Sequence, residues 1–284
     1  MILNFIVWNP TPEIFELTIP GIGTIAPRWY GLLFAMGFVV GYIIMLKVFR
    51  KERIPVKVLD QLATYMIIAT IIGARLGHVL FYQPVYYFKN PIEILMVWKG
   101  GLASHGAAIA IIIALLIFSK RNHKPFIWIF DRISIVVALA AAFIRTGNLM
   151  NSEIFGVKTS LPWGFKFVNT DPSLVAKHPT QIYEALAYLG IFIFLWLVYL
   201  KRNGRPRPGF LSAMFMILVF TFRFFIEFLK EPQVDFEVGM ALNMGQLLSI
   251  PFVLLGVGTL LYIYRKKTIR KKQKLSDIKG QADK

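Results

Sequence analysis

Seven stretches of this chain, residues 29–49, 62–82, 101–118, 127–147, 182–200, 210–229 and 243–264, are predominantly apolar. Each is close to the roughly 20 residues that a helix needs to cross the hydrocarbon core of a bilayer. Backbone groups in lipid have no water to bond, so every such stretch must be a helix rather than an open strand. Composition agrees, with 56% hydrophobic residues, 15% aromatics and a mean hydropathy of +0.60. A soluble domain of this size would be far less apolar. The sequence predicts an all-α polytopic membrane protein whose residues 1–284 form a single integral membrane domain. There is no cysteine, which excludes disulfides and thiolate metal sites. Residues 1–27 hold no Lys or Arg and several prolines, so no cleavable signal peptide is expected.

Seven spans put the two termini on opposite sides, and charge decides which side is which. Of the 32 basic residues, 21 fall in one alternating set of connecting segments. Five lie from Lys47 to Lys57, three from Lys120 to Lys124, four from Lys201 to Arg207 and nine from Arg265 onward. The opposite set holds six: Lys89, Lys99, Lys158, Lys166, Lys177 and Lys230. The positive-inside rule therefore predicts an outer N-terminus and a cytoplasmic C-terminus. Residues 265–284 become a basic cytoplasmic tail. Its charge, like the net +17, is explained by anchoring on anionic lipid, and a nucleic-acid partner is not expected.

Two outer segments are substantial. Residues 83–99, with QPVYYF and Trp98, read as an interfacial arm carrying aromatic anchors. Residues 148–181 are too long for a mere connector and predict a small extracytoplasmic head segment. Within it, WGFKFVNTDP suggests a short strand and turn. Long ordered loops often carry function.

Polar residues gather near that same face. A rise of about 1.5 Å per residue puts Arg75 and Arg223 in the outer halves of the second and sixth spans. Arg145 falls near the outer end of the fourth, and His105 about one turn inside that of the third. Tyr30, Gln181, Glu184, Asn243 and Gln246 stand at the outer ends of the others. The inner halves hold almost no polar residues beyond the Asp131–Arg132 pair. Simpler explanations exist for individual residues. Arg223 and Glu227 are spaced to pair along one helix, Arg145 can snorkel, and His78 suits a packed interfacial position. The exit RTGNLMNSEIFG could be a helix cap, with Gly147 ending the helix, although a cap does not require Asn151 and Glu153.

Buried arginines ask for anions, and an outer-leaflet phospholipid phosphate is one that a planar guanidinium clamps well. Gly37 with Gly41, and Gly73 with Gly77, form G-x-x-x-G patterns that allow close helix approach. The four histidines are scattered without a carboxylate cluster, so no metal is expected.

Seven motifs, in order, carry a resemblance: RWYG (28–31), GARLGHVLFY (73–82), GGLASHG (100–106), RTGNLMNSEIFG (145–156), HPTQIYE (178–184), FRFFIEFLKEP (222–232) and NMGQLLSIP (243–251). Together they resemble the prolipoprotein diacylglyceryl transferase family over almost the whole chain. The resemblance implies a multi-pass enzyme of the bacterial inner membrane, with its active site facing the outer leaflet. Such an enzyme transfers the diacylglyceryl group of phosphatidylglycerol to the lipobox cysteine thiol of a prelipoprotein. A thioether forms, glycerol 1-phosphate is released, and no cofactor is implied. The family's histidine falls on His105, and its extended signature on Arg145, Gly147, Asn148, Asn151, Glu153 and Gly156. Its first-span tyrosine falls on Tyr30, and its later arginine on Arg223. Two positions depart: Ala107 stands where H-G-G has its second glycine, and Lys230 with Gln233 replaces an arginine and an aspartate. Lysine cannot make a bidentate phosphate contact.

The implied chemistry suggests roles. A cysteine thiol near pKa 8.5 needs help to become a thiolate, and a histidine near 6.5 suits that proton transfer. His105 is the candidate base, with Arg75 or the field of the arginines as the alternative source of activation. Arg145 and Arg223 would stabilise the leaving phosphate. Tyr30, Asn148, Asn151, Glu153, Gly156 and Arg75 are candidates for holding the head group. Two other classes compete: a transporter whose buried charges line a pathway, and a non-catalytic lipid-binding factor that would not need His105.

Overall fold

Prolines and glycines mark the ends of the helices. Pro55 immediately precedes one and Pro125 another, where a ring with fixed φ and no N–H costs no hydrogen bond. Gly209, at φ +86°, turns the chain into a third. The structure, a computed structural model, describes residues 5–20, 23–232, 237 and 239–282. Its helices are α1 (Trp29–Lys51), α2 (Val56–Phe81), α3 (Pro84–Lys89), α4 (Ser104–Arg121), α5 (Phe126–Met150), α6 (Thr180–Lys201), α7 (Phe210–Ile226) and α8 (Met244–Ala282). A 3-10 turn, Glu227–Leu229, continues α7.

Among the described residues seven helices, all but α3, are long and apolar enough to cross a membrane. They leave large apolar side chains exposed along their length, such as Ile67, Ile68, Ile71 and Ile72 on α2 and Leu254, Leu255 and Leu261 on α8. In water that surface would drive association. Lipid tails cover it without cost, as in a multi-pass membrane protein. The α2 helix begins at Val56, six residues ahead of the apolar stretch that starts at residue 62, because Pro55 sets the start rather than hydropathy. Among the described residues helicity is broken by four three-residue strands: β1 (Ile6–Trp8), β2 (Leu17–Ile19), β3 (Gly23–Ile25) and β4 (Phe165–Phe167). The chain divides into two compact units, Tyr42–Arg132, and Met1–Gly41 with Ile133–Lys284.

In the unit Tyr42–Arg132, α2 packs on α4 through glycine. A Cβ on Gly77 would lie 2.7 Å from Cα of Gly106, and one on Gly73 would lie 2.6 Å from the carbonyl oxygen of Gly106. The second G-x-x-x-G thus seats the start of α4, and the N–H of Ala103 donates to the Ala74 carbonyl at 2.9 Å. Ala107 meets the same seam, its Cα 3.1 Å from that notional Gly73 Cβ. At the other end of these helices Arg132 is buried and pairs with Glu52 at 3.1 Å. The Trp128 indole donates to Glu52 at 2.9 Å, and the Arg132 guanidinium lies 4.7 Å above that ring.

In the other unit, α7 packs on α6 and α8, and Gly37 and Gly41 face Ala140 and Val136 of α5. Strand β1 pairs in parallel with β4, Val7 opposite Lys166, while β2 and β3 form an antiparallel ladder. The expected FKF strand is β4; β1 to β3 were not foreseen. The Trp8 indole donates to the Leu149 carbonyl at 2.9 Å, which ties β1 to the end of α5. Phe155 stacks on Phe167 at 4.9 Å beneath Lys177.

Candidate active site

The α5 helix runs three residues past Gly147, to Met150, so this glycine does not end it. A side chain there would come within 2.8 Å of the Tyr30 ring; the glycine exists to let the half-buried Tyr30 lie against α5. Beyond the helix, Ser152 and Ile154 hold φ of +54° and +59°. For a β-branched residue that conformation is a genuine outlier, of the kind that surrounding contacts must enforce. The enforcing bonds are present. Thr180 Oγ1 donates to the Ile154 carbonyl at 3.0 Å, and Gln181 Nε2 to the Glu153 carbonyl at 2.7 Å.

This turn points Glu153 back at the helix. Its Oε1 accepts from Asn148 Nδ2 at 2.7 Å and from Asn151 Nδ2 at 3.2 Å. Asn148 is buried, and its Oδ1 accepts from Arg145 Nη1 at 3.2 Å. Arg145 Nε lies 3.2 Å from Oε2 of Glu184 on α6, a carboxylate with no exposed surface. From there the network continues. Lys230 Nζ lies 3.1 Å from the same Glu184 Oε2 and 2.9 Å from Glu227 Oε1. Glu227 Oε2 accepts from Asn243 Nδ2 at 3.1 Å.

Arg223 joins weakly, with Nε 3.8 Å from Glu227 Oε1. That is the i,i+4 contact expected from the spacing, but its Nε is buried without a hydrogen-bond partner among the described residues, as are Asn151 Oδ1 and Gln181 Oε1. Native interiors leave few polar atoms in that condition, and each asks for an explanation. The network holds three cations (Arg145, Arg223, Lys230) and three carboxylates (Glu153, Glu184, Glu227), so its formal charge is zero.

Gly156 stands where two segments cross. Its N–H donates to the His178 carbonyl at 2.8 Å, and the Val157 N–H to that of Leu229 at 2.8 Å. A Cβ at 156 would meet the Leu229 carbonyl, the His178 Cβ and the Thr180 methyl. The glycine is thus needed for the backbone crossing that sets Lys230 in place.

Arg75 and His105 belong to the unit Tyr42–Arg132. Arg75 is buried, and its guanidinium serves the backbone. Nε donates to the Ile94 carbonyl at 2.9 Å, Nη1 to those of Gly100 and Gly101 at 2.6 and 3.2 Å, and Nη2 to that of Glu93. It also lies 4.8 Å above the Tyr87 ring. Gly100 and Gly101, at φ +86° and +71°, make the turn that presents those carbonyls. His105 is the second residue of α4, exposed, with Phe81 edge-on at 5.3 Å and Tyr82 at 5.8 Å. Tyr82 in turn stacks on His78 at 5.5 Å. Among the described residues, no group of three or more His, Asp or Glu could hold a metal ion.

Glu184, Glu227 and Asn243 enter the network although they were not among the candidate residues. Their signals were the outer-end placing of Glu184 and Asn243, the spacing of Glu227 from Arg223, and their place in HPTQIYE, FRFFIEFLKEP and NMGQLLSIP. Lys230 looked like an outer-loop charge and is instead buried. Gln233 lies outside the described residues.

A family model described as prolipoprotein diacylglyceryl transferase matches residues 18–262. A protein of Tolumonas auensis is 43% identical over 261 residues, covering 92% of this chain and 98% of its own length. One of Porphyromonas gingivalis is 45% identical over 267 residues, covering 89% and 93%, and one of Chloroherpeton thalassium is 43% identical over 255, covering 89% and 92%. All three carry the name phosphatidylglycerol–prolipoprotein diacylglyceryl transferase.

Proposed function

The chain belongs to the prolipoprotein diacylglyceryl transferase family, and from that premise we propose how its polar residues carry the reaction. It is a membrane transferase of lipoprotein biosynthesis. It moves the diacylglyceryl group of phosphatidylglycerol onto the lipobox cysteine thiol of a prelipoprotein and releases glycerol 1-phosphate. Membership of this family leaves the transporter and the non-catalytic lipid-binding alternatives without support.

The chain spans the bacterial inner membrane with its N-terminus outside, which the 21 basic residues of the cytoplasmic set of segments, against six in the outer set, support. Residues 148–181 with the N-terminal strands form the outer head, and residues 83–99 an arm at the same interface. Residues 265–284 form the cytoplasmic tail. Substrate lipid comes from the outer leaflet, and the prelipoprotein presents its signal peptide from the surrounding lipid.

In the reaction the thiol proton passes to a base, and sulfur attacks the diacylglyceryl carbon that bears the phosphate. The carbon–oxygen bond breaks with its electron pair left on the phosphate oxygen, whose charge grows in the transition state. His105 takes the proton; its exposed ring at the start of α4 also sits at the positive end of a helix, which favours an approaching thiolate. Arg145 and Arg223 stabilise the leaving phosphate. Tyr30, Asn148, Asn151 and Glu153 hold the glycerol head group. Gly156 and Arg75 act on the site through the backbone they position, since the donors of Arg75 are engaged with carbonyls.

Support comes above all from the unmatched buried atoms. Among the described residues Arg223 Nε is a donor without an acceptor, and Asn151 Oδ1 an acceptor without a donor, complementary to a phosphate bearing a dihydroxylated glycerol. The test is transfer of labelled diacylglycerol to a lipobox peptide by the purified chain in phosphatidylglycerol vesicles. Thioether-linked product with an equal amount of glycerol 1-phosphate is expected. Folded protein that yields neither would overturn the assignment.

A further inference from the structure

We infer that Glu184 is a positioning residue for this reaction, the shared counter-ion that sets Arg145 and Lys230 in register; this rests on the role proposed above for Arg145. Three elements converge on its carboxylate. Arg145 comes from α5 at 3.2 Å, Lys230 from the segment after α7 at 3.1 Å, and Tyr188, one turn along α6, donates its hydroxyl to Oε1 at 3.1 Å. Glu184 has no exposed surface, and Tyr188 is buried beside it. Both cations approach the same oxygen, Oε2, and neither N–H is aligned on it for a hydrogen bond. The contact with Glu184 is therefore one of charge, and the hydrogen bonds of the two cations go elsewhere, Arg145 Nη1 to Asn148 Oδ1 at 3.2 Å and Lys230 Nζ to Glu227 Oε1 at 2.9 Å.

That geometry has a consequence for the chemistry. Arg145 is held at two points, Nε by Glu184 and Nη1 by Asn148, which fixes the plane of its guanidinium. A planar fork in a fixed plane is a pre-set partner for phosphate oxygens. Lys230 is fixed by two carboxylates, Glu184 and Glu227. Among the described residues Glu184 is the one whose ion pairs reach both cations, so it couples the end of α5 to the segment that follows α7. It does not touch the reacting atoms. Without its charge the cations remain, and the lipid is still bound by its chains and by the other donors, but the fork loses its orientation. Stabilisation realised only in the transition state falls, while binding of the ground state does not. A misplacement of about 1 Å can cost on the order of 100-fold in rate.

The experiment compares wild type, Glu184→Gln, Glu184→Asp and Tyr188→Phe, each as the full chain in phosphatidylglycerol vesicles with a lipobox peptide, at matched folded concentration. Glu184→Gln should lower kcat by about 10- to 100-fold with a KM for phosphatidylglycerol no higher than wild type. Glu184→Asp, which keeps the charge on a shorter stem, should recover part of kcat. Tyr188→Phe, which removes one hydrogen bond but no charge, should lower kcat less than Glu184→Gln and serves if the latter fails to fold. A kcat within threefold of wild type in folded Glu184→Gln would overturn the inference, as would a loss expressed wholly in KM. If Glu184→Gln does not fold, an unchanged kcat in Tyr188→Phe does so instead. Absence of transfer by folded wild type would overturn the proposed function itself, a distinct outcome.

Discussion

Nη1 of Arg75 donates to the carbonyl of Gly100 at 2.6 Å and to that of Gly101 at 3.2 Å. One guanidinium on α2 thereby pins the turn that leads, within a few residues, to His105. Lysine has three donors on a point charge and no planar fork, so Arg75→Lys cannot span the carbonyls of Glu93, Ile94, Gly100 and Gly101. The carbonyls belong to half-buried or exposed residues, and losing hydrogen bonds from a charged donor costs at most about 1.5–3 kcal/mol each. The variant should lose thermal stability in detergent and turn over more slowly, because the segment carrying His105 is no longer anchored. A melting midpoint and rate equal to wild type would show that the fork anchors nothing.

The seam between α2 and α4 predicts a sharp difference between neighbouring positions. In Gly106→Ala the new methyl would meet the Gly73 carbonyl and lie 2.6 Å from the Gly77 Cα, both backbone, so a helix must move. Overpacking of this kind costs about 1–3 kcal/mol. Ala107→Gly, which restores the glycine usual in the family, adds only the helix-interior penalty of about 0.5–1 kcal/mol and should leave transfer near wild type. Melting curves of the two variants, run together, check the ordering.

In the segment after α5 the stability should depend on pH in a defined way. Asp171 accepts from the N–H and hydroxyl of Ser173 at 3.1 and 2.7 Å, and Lys177 pairs with Asp171 at 3.1 Å and with Glu231 at 2.7 Å. Burial would raise the Asp171 carboxyl, but its bonds to Ser173 and Lys177 outweigh that and hold it below the usual carboxylate range. Burial would lower the Lys177 ammonium, but Glu231 and Asp171 outweigh that and hold it above the usual lysine range. Burial lowers His178.

The signs follow from linkage. Asp171 contributes stability above its unfolded value, near 3.9, and His178 above about 6.5; both contributions are lost as pH falls through the folded values. Lys177 contributes below about 10.4 and loses its contribution as pH rises through its higher folded value. The thermal midpoint should therefore be level from about pH 7 to pH 10 and fall on either side. Lys177→Met should blunt both falls; an unaltered profile in that variant would contradict the role of the pair.

Much of this was legible in the chain, for reasons that differ by residue. Apolar runs of span length have one solution in lipid, so the seven helices could be read directly. The FKF strand and the Arg223–Glu227 contact follow from short-range periodicity. Lys230 was not legible, because a lysine just past a helix end looks like a solvated charge, and its burial depends on Glu184 on a different helix. The pairing of β1 with β4 joins three-residue segments too short to show a period. Arg75 was legible as buried but not in its partners, because backbone carbonyls leave no mark in a sequence. Nor could spacing reveal that Gly147 makes room for Tyr30 instead of closing α5.

The most direct test is the initial rate of diacylglyceryl transfer by wild type, His105→Gln and Arg145→Gln in phosphatidylglycerol vesicles, each variant first shown by its melting curve to be folded. Loss of the base and loss of the phosphate-stabilising cation should each cost about 100-fold or more with folding intact. A folded Arg145→Gln variant with near-normal turnover would contradict the assignment of the α5 exit as the phosphate site. The same result in His105→Gln would remove that residue as the base.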